Sequence, residues 1–548
     1  LLKVGVDMRR WNGWGDESNK MDLPPSGGEF LKGLVGDSTP LGDTPLKDVM
    51  AKVPESRLPD HTLITKDVEQ RVRHARGQSL PDWLAMRSGD FEFFPDGVAF
   101  PETKDQVAEL VNFCHEKNIV LIPYGGGTSV AGHINPFESD RPILTVSMAR
   151  MNRLLELETE SQIATFGAGT PGPLVESQLR AKGYTLGHYP QSFELATVGG
   201  WVASRSSGQQ SLRYGRIEQM FAGGSVETTK GRLEISTFPA SAGGPDVREM
   251  FLGSEGRLGI ISEVKVRVTK IADKEDFYVI FFPSWEQAKN AAKELVQSKV
   301  QLSMLRLSNA IETVTQLALA GHPGQIALLE KYLSVRGASE GKCMMTLGVT
   351  GSKAQCSAAH SLMKRTISPY KGIYTGTYLG KKWAEKRFTM PYLREALWDK
   401  GYVVDTLETA TDWDNVDNLL GQMEGSLRNA LSSEDESVHV FTHLSHFYGQ
   451  GCSIYTTYVY RAGSSCKTAL ERWRKLKYPT SEIIVSNRGT ISHQHGVGKD
   501  HAPYLPTEKG ELGMHLIRTL CNSMDEKGIL NPGTLLVDDA QTKGQSDA

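Results

Sequence analysis

Apolar residues Val107, Leu110, Val111 and Cys114 recur at i, i+3, i+4 and i+7 behind Pro101, and an unbroken apolar run at 119–123 follows. That pattern predicts a strand, a helix and a second strand that runs into glycine. Residues 143–169 alternate as strands do, 171–182 read as a helix, and 260–269 alternate with period two. Together they make 94–272 one α+β domain. From 273 to 490 apolar strands are interleaved with helical stretches, ending in HVFTHLSHF and SIYTTYVYR, which predicts a second sheet covered by helices. Residues 1–93 carry proline, glycine and charge around a short helical stretch near 67–76, so they read as an arm or small helical cap without a core. Residues 491–548 return to glycine and helix signals. The predicted class is α+β.

A chain of 548 residues has room for about two to four domains of ~100–200 residues each. Its 39% hydrophobic and 23% charged content is that of a globular protein, and a net charge of -3 offers no basic field to nucleic acid. The expected partner is a small molecule. Six scattered cysteines predict thiols with neither disulfide nor structural zinc. No secretory signal is visible, no run reaches the ~18 apolar residues of a spanning helix, and QSDA is not the S-K-L address. An intracellular protein is expected.

Three consecutive glycines, Gly125, Gly126 and Gly127, lose much chain entropy on folding, so something must demand positive φ or bare backbone there. Turned amides of this kind cradle anions, Thr128 and Ser129 add hydroxyls, and a pyrophosphate is the natural ligand; a plain tight turn is the alternative. There is no G-x-G-x-x-G after a strand, and the Walker-like string at 337–343 has the wrong spacing, which disfavours NAD and ATP folds. Two further segments, 196–204 and 252–260, set small residues beside apolar ones, where a flat ring could lie.

The ordered set PYGGGTSV, FELATVGGWVASRSSG and GSEGRLGIISE resembles the FAD-binding domain of the vanillyl-alcohol oxidase flavoprotein family. The resemblance implies FAD, held in a two-subdomain domain beside an α+β cap with an antiparallel sheet, and an N-terminal helical arm. It places the pyrophosphate on Pro123, Gly125, Gly126, Gly127, Thr128 and Ser129. It lines the ADP and isoalloxazine portions with Thr197, Gly199, Gly200, Ala203 and Ser204, and with Glu255, Gly256, Gly259 and Ile261. Within that family RRWNGWGDE, PYLREALWDKGYVVDTLETATDW, CSIYTTYVYRAG and ISHQHGVGK are most similar to the alkyldihydroxyacetonephosphate synthases. That likeness implies ether-lipid synthesis: the acyl group of acyl-dihydroxyacetone phosphate is exchanged for a fatty alcohol through a covalent flavin N5 adduct, without net oxidation. It further implies lipid substrates, peripheral contact with a membrane surface and a homodimer. The compartment would be the peroxisome in a eukaryote or the cytoplasm in a bacterium. The stretch MPYLREALWDKGYVV is the amphipathic candidate for the lipid surface.

Each candidate site residue also has a plain reading. Arg394 could make a helix-surface ion pair with an acid one turn away; the resemblance gives it the substrate phosphate, with Lys499 assisting. Tyr455 could simply pack among aromatics; the resemblance makes it the acid/base, which would require neighbours that lower its pKa. His493 and His495 share a face if the segment is extended, and the synthases carry three histidines here where this chain has Gln494 in the middle. His439, His443 and His446 raise a metal question. On a regular strand His443 and His446 fall on opposite faces with no carboxylate near, so no metal site is expected and His446 is assigned to substrate. The competing reading is an FAD-dependent D-2-hydroxyacid dehydrogenase of the D-lactate or glycolate type, which GGGTSVAGH with Ala131 and His133 also resembles. Those enzymes show H-x-G-D-G-N-x-H and a glutamate before H-G-x-G; the first is absent here and Gln494 stands in place of the second. A flavin-binding protein without catalysis is a third reading.

Overall fold

A computed structural model describes residues 9–537; the ends of the predicted arm and closing segment, 1–8 and 538–548, lie outside it. The helix Lys104–Lys117 starts where the Thr103 side chain accepts from the Gln106 amide and stops at Asn118 in the left-handed region. Its stripe of Val107, Leu110, Val111 and Cys114 is fully buried. Each of Leu110 and Val111 contributes roughly 1.5–3 kcal/mol on that face, and a charged replacement would unseat the helix. Strand Val120–Tyr124 runs parallel to Ile143–Ser147, which pairs in turn with Gly97–Ala99. The helix Lys104–Lys117 packs between this small sheet and a five-stranded antiparallel one in the order Leu154–Glu158, Ile163–Gly167, Ile260–Arg267, Phe221–Thr228, Gly231–Ile235.

Seven antiparallel strands form the cap sheet: Ile373–Tyr374, Lys274–Phe282, Cys343–Gly351, Met304–Ser308, His439–Phe447, Gly451–Arg461 and Tyr402–Asp412, in that spatial order. The chain then returns to the first domain. Leu530 bridges Leu121, and the Asn531 amide donates to the carbonyls of His133 and Glu255, so the closing segment borders the glycine loop.

Two expectations need correction. The N-terminal region does have a core of its own: Val72 and Met86, on the helices Val68–Arg73 and Leu80–Ser88, pack with Val49, Ala75, Phe91 and Phe94. Its short helices hid the apolar period. The stretch proposed for a lipid surface is instead interior, since Tyr392, Leu397, Trp398 and Tyr402 are all buried. All six cysteines are free, and no described helix is long and apolar enough to cross a membrane.

Candidate active site

The three glycines are bare because chain presses on them. A Cβ on Gly126 would strike the carbonyl oxygen of Leu195, one on Gly125 the Thr197 hydroxyl, and Gly127 sits at φ +68 against the Tyr124 hydroxyl. The second glycine segment therefore packs on the first. Gly199 is held against Ala168, Gly256 (φ +83) against Pro123, and Gly259 (φ +144) against the Glu227 carbonyl, whereas Gly200 faces outward with only the Thr197 hydroxyl near. Thr197 caps the helix Val198–Ser204 by accepting from the Gly200 amide.

Amides 126–128 make no hydrogen bond to the rest of the described chain. The buried Trp201 indole N–H and Asn531 Oδ1 likewise lack partners. An exposed-backbone trough with unclaimed donors fits the phosphates and ring of a dinucleotide. The Ala203 carbonyl accepts from the Glu255 amide, the Ser204 hydroxyl donates to the Gly200 carbonyl, and Ile261 lies on the strand Ile260–Arg267. Glu255, at φ +52, faces elsewhere than expected: its carboxylate accepts from the Val497 and Gly498 amides and lies 3.2 Å from His133 Nε2. Burial disfavours an imidazolium at His133, but Glu255 outweighs it and raises the pKa. This pair clasps the closing segment to the cofactor loop.

The arm meets both sides of the site. Arg9 donates to the Gly126 carbonyl, and the Trp14 amide donates to Glu395 at 3.2 Å. Glu395 also pairs with buried Arg87, so it is not available to the neighbouring Arg394. Arg394 is partly buried over the Trp83 ring, 4.7 Å from its centroid; Nη1 donates to the Gln78 carbonyl at 2.7 Å and the buried Nε has no partner. No carboxylate pairs with it among the described residues, which rules out the surface ion pair. Burial lowers its pKa, opposed by Asp405. Lys499 sits on the cofactor-loop side: its ammonium donates to the Asn135 carbonyl at 2.6 Å and lies over Phe137.

Tyr455 stands mid-sheet, its register partners being His443 on one neighbouring strand and Glu408 on the other. Directly opposed residues share a face, so these three side chains project together. The His443 ring stacks on Tyr455 at 4.8 Å, and the His495 ring meets Tyr455 edge-on at 6.1 Å. Beyond Glu408, His493 Nδ1 lies 3.3 Å from Oε1 and His495 Nδ1 3.5 Å from Oε2. The predicted pair thus converges on one carboxylate.

His446 joins them through a β-bulge. The register shifts between Ser445 and Phe447, and His446 adopts φ +46, so a spacing of three no longer sends His443 and His446 to opposite faces. Its ring lies 4.9 Å from that of His493, and Nδ1 contacts the hydroxyls of Ser207 (3.0 Å) and Ser211 (3.3 Å). The expectation of no carboxylate near His443 also fails, because Glu312 is 3.1 Å from Nδ1.

Arg216, unflagged in the sequence, reaches into this group. It donates to His493 Nε2 at 2.6 Å, to the His493 carbonyl at 3.0 Å and to the Tyr448 hydroxyl at 3.1 Å. Glu408, His446 and His493 hold ligand atoms within 4.8 Å of one another. Arg216 lies 2.6 Å from His493 Nε2, and His493 Nδ1 faces Glu408 at 3.3 Å.

Burial drives the titration pattern. It pushes Tyr455 up to about 12, with Glu408 adding to the rise and a bond to Thr406 opposing it, so the phenol is a donor rather than the lowered-pKa base expected. It raises Glu408, opposed by His495, Arg216, His443 and the Gln494 amide. It lowers His446, His493 and His495. Burial thus favours the neutral form of each of these imidazoles and of the Glu408 carboxyl.

Residues 95–236 match a family model described as an FAD binding domain, and 271–535 one described as the C-terminal domain of FAD linked oxidases. Alkyldihydroxyacetonephosphate synthase of Dictyostelium discoideum is 30% identical, covering 96% of this chain and 93% of its own length. The synthase of Trypanosoma brucei brucei is 28% identical over 96% and 92%. A solved alkyldihydroxyacetonephosphate synthase structure superposes with a TM-score of 0.83 at 27% identity, over 96% of this chain and 98% of that one.

Proposed function

This chain belongs to the alkyldihydroxyacetonephosphate synthase family, whose cofactor is FAD, and from that premise we propose that it forms the ether bond of ether lipids. Acyl-dihydroxyacetone phosphate and a fatty alcohol are its substrates, alkyl-dihydroxyacetone phosphate and a fatty acid its products. The observation that carries the reading is Arg394, a partly buried guanidinium whose Nε has no partner and which pairs with no carboxylate among the described residues, so that it suits an anionic ligand such as a phosphate.

FAD, which the amides at 126–128 would hold, would supply a flavin ring nitrogen as nucleophile and then leaving group, so that acyl and alkyl groups exchange with no net electron transfer. Everything else falls to the protein. Arg394 fixes the phosphate, the amides at 126–128 and the clasp of His133 with Glu255 seat the cofactor, and Tyr455 faces the reacting carbon as donor. His495, backed by Glu408, exchanges the carbon-bound proton, and His446 borders the substrate.

Leu328, Tyr332 and Val335 recur at i, i+4 and i+7 on the exposed side of the helix Pro323–Val335, beside Lys331 and Arg336. An apolar stripe flanked by basic residues suits a lipid surface, and this reading places peripheral membrane contact there. It further takes the protein to be a homodimer, peroxisomal in a eukaryote and cytoplasmic in a bacterium.

The test is to incubate the FAD-loaded protein with acyl-dihydroxyacetone phosphate and a fatty alcohol, without oxygen or another electron acceptor. Ether product and fatty acid in equal amounts are expected. Flavin reduction by a D-2-hydroxyacid with no ether formed would overturn the reading in favour of a dehydrogenase.

A further inference from the structure

We infer that Arg216 locks His493 in a single tautomer, with the proton on Nδ1 and Nε2 bare, which makes His493 a positioning residue and leaves proton transfer to His495 and Glu408. A guanidinium is always charged and can only donate. With Arg216 Nη1 2.6 Å from His493 Nε2, that nitrogen must accept. The one ring proton is then on Nδ1, 3.3 Å from Glu408 Oε1, where it is donated to the carboxylate. A second proton could enter only at Nε2, facing the guanidinium.

The other groups packed on His493 are compatible with this state. The Tyr448 hydroxyl lies 2.7 Å from Nε2, the His446 ring 4.9 Å from the His493 ring, and Arg216 Nη2 anchors the backbone through the His493 carbonyl. His495 differs. It reaches the other carboxylate oxygen at 3.5 Å, and among the described residues no guanidinium is bonded to its ring. Arg216 joins three parts of the molecule, since it also donates to the Arg205 carbonyl beside the cofactor trough and to Tyr448 of the cap. Two histidines one residue apart thereby take different parts, one holding the carboxylate in register and the other moving the proton.

The inference rests on the ether-forming reading for what the proton transfer serves, but its test does not. Histidine isotope-labelled on the ring nitrogens in the FAD-loaded protein, read by long-range proton–nitrogen correlation and assigned with His493→Asn, reports each tautomer directly. Expected is a protonated Nδ1 and a bare Nε2 for His493 from about pH 5 to about pH 9, and a second proton on that ring at the acid end in Arg216→Met. A proton on His493 Nε2 in the unsubstituted protein would overturn the assignment, and that spectrum decides alone if Arg216→Met does not fold. In turnover, His493→Asn supplies an N–H to Glu408 and should keep the pH profile with a loss of about tenfold or less. His495→Gln should lose ~100- to 10,000-fold. The reverse ranking would also overturn it, whereas failure of both proteins and the parent to make ether would indict the proposed function and leave the tautomer result standing.

Discussion

Two clusters of the same three residue types flank Tyr455, and they are wired differently. On one side Arg306 bonds to Glu312 and also lies 3.1 Å from His443 Nδ1, itself 3.1 Å from Glu312; on the other Arg216 bonds to His493 and not to Glu408, which receives only imidazole and amide donors. Burial would raise both carboxyls. At Glu312 the charges of His443 and Arg306 overcome it and hold the pKa near about 2, while at Glu408 burial prevails and the pKa is raised. An arginine that reaches the carboxylate as well as the histidine fixes a charge and makes a brace; one that reaches only the histidine of the pair leaves the carboxyl free to share a proton. Position of the guanidinium, not composition, separates structure from chemistry here.

The strongest way to break this contrast is to neutralise each carboxylate in turn. Glu408→Gln should lower kcat by ~100- to 10,000-fold with FAD retained, and Tyr455→Phe should do the same, each read by steady-state turnover and the flavin spectrum. Arg394→Ala comes next. Leaving a bound phosphate without its buried cation should forfeit about 2–5 kcal/mol, roughly 30- to 4,000-fold in kcat/KM, while the flavin stays bound; loss of flavin along with activity would assign Arg394 to the cofactor.

Glu312 should answer to acid rather than to turnover. Its folded pKa near about 2 lies below the ordinary 4.5, so its stabilisation is complete above pH 4.5 and is lost as pH falls through 2. The shift amounts to ~3 kcal/mol, and Glu312→Gln should flatten that limb of the stability curve measured by denaturant unfolding. Smallest is Tyr448→Phe, which removes one hydrogen bond from the His493 nitrogen and should change kcat by about 2- to 12-fold.

Much of the scaffold could be read in advance because it rests on local periods. The stripe from Val107 to Cys114, the alternation of 260–269 and the glycine segments all carry their meaning within a few residues. The site does not. Glu408 and His493 lie far apart in sequence, and a lone glutamate in a strand reads as a solvent position until the sheet buries it. The bulge at His446 reverses the side chains that follow, so strand spacing misassigned the two histidines. Arg216 sits in the two-residue break between the short helices Ser211–Tyr214 and Ile217–Met220, with no periodic neighbour to mark it. Even the glycines were legible in place but not in cause, since Leu195 and Thr197, rather than a ligand alone, exclude a Cβ from Gly126 and Gly125.

Infrared titration of the FAD-loaded protein, with difference spectra against Glu408→Gln and Glu312→Gln, compares the two carboxyls most directly. The account predicts a protonated-carboxyl band that vanishes in Glu408→Gln and persists above the ordinary glutamate range, and no such band belonging to Glu312 anywhere above about pH 4. A Glu408 carboxyl already ionised at pH 4 alongside Glu312 would contradict it.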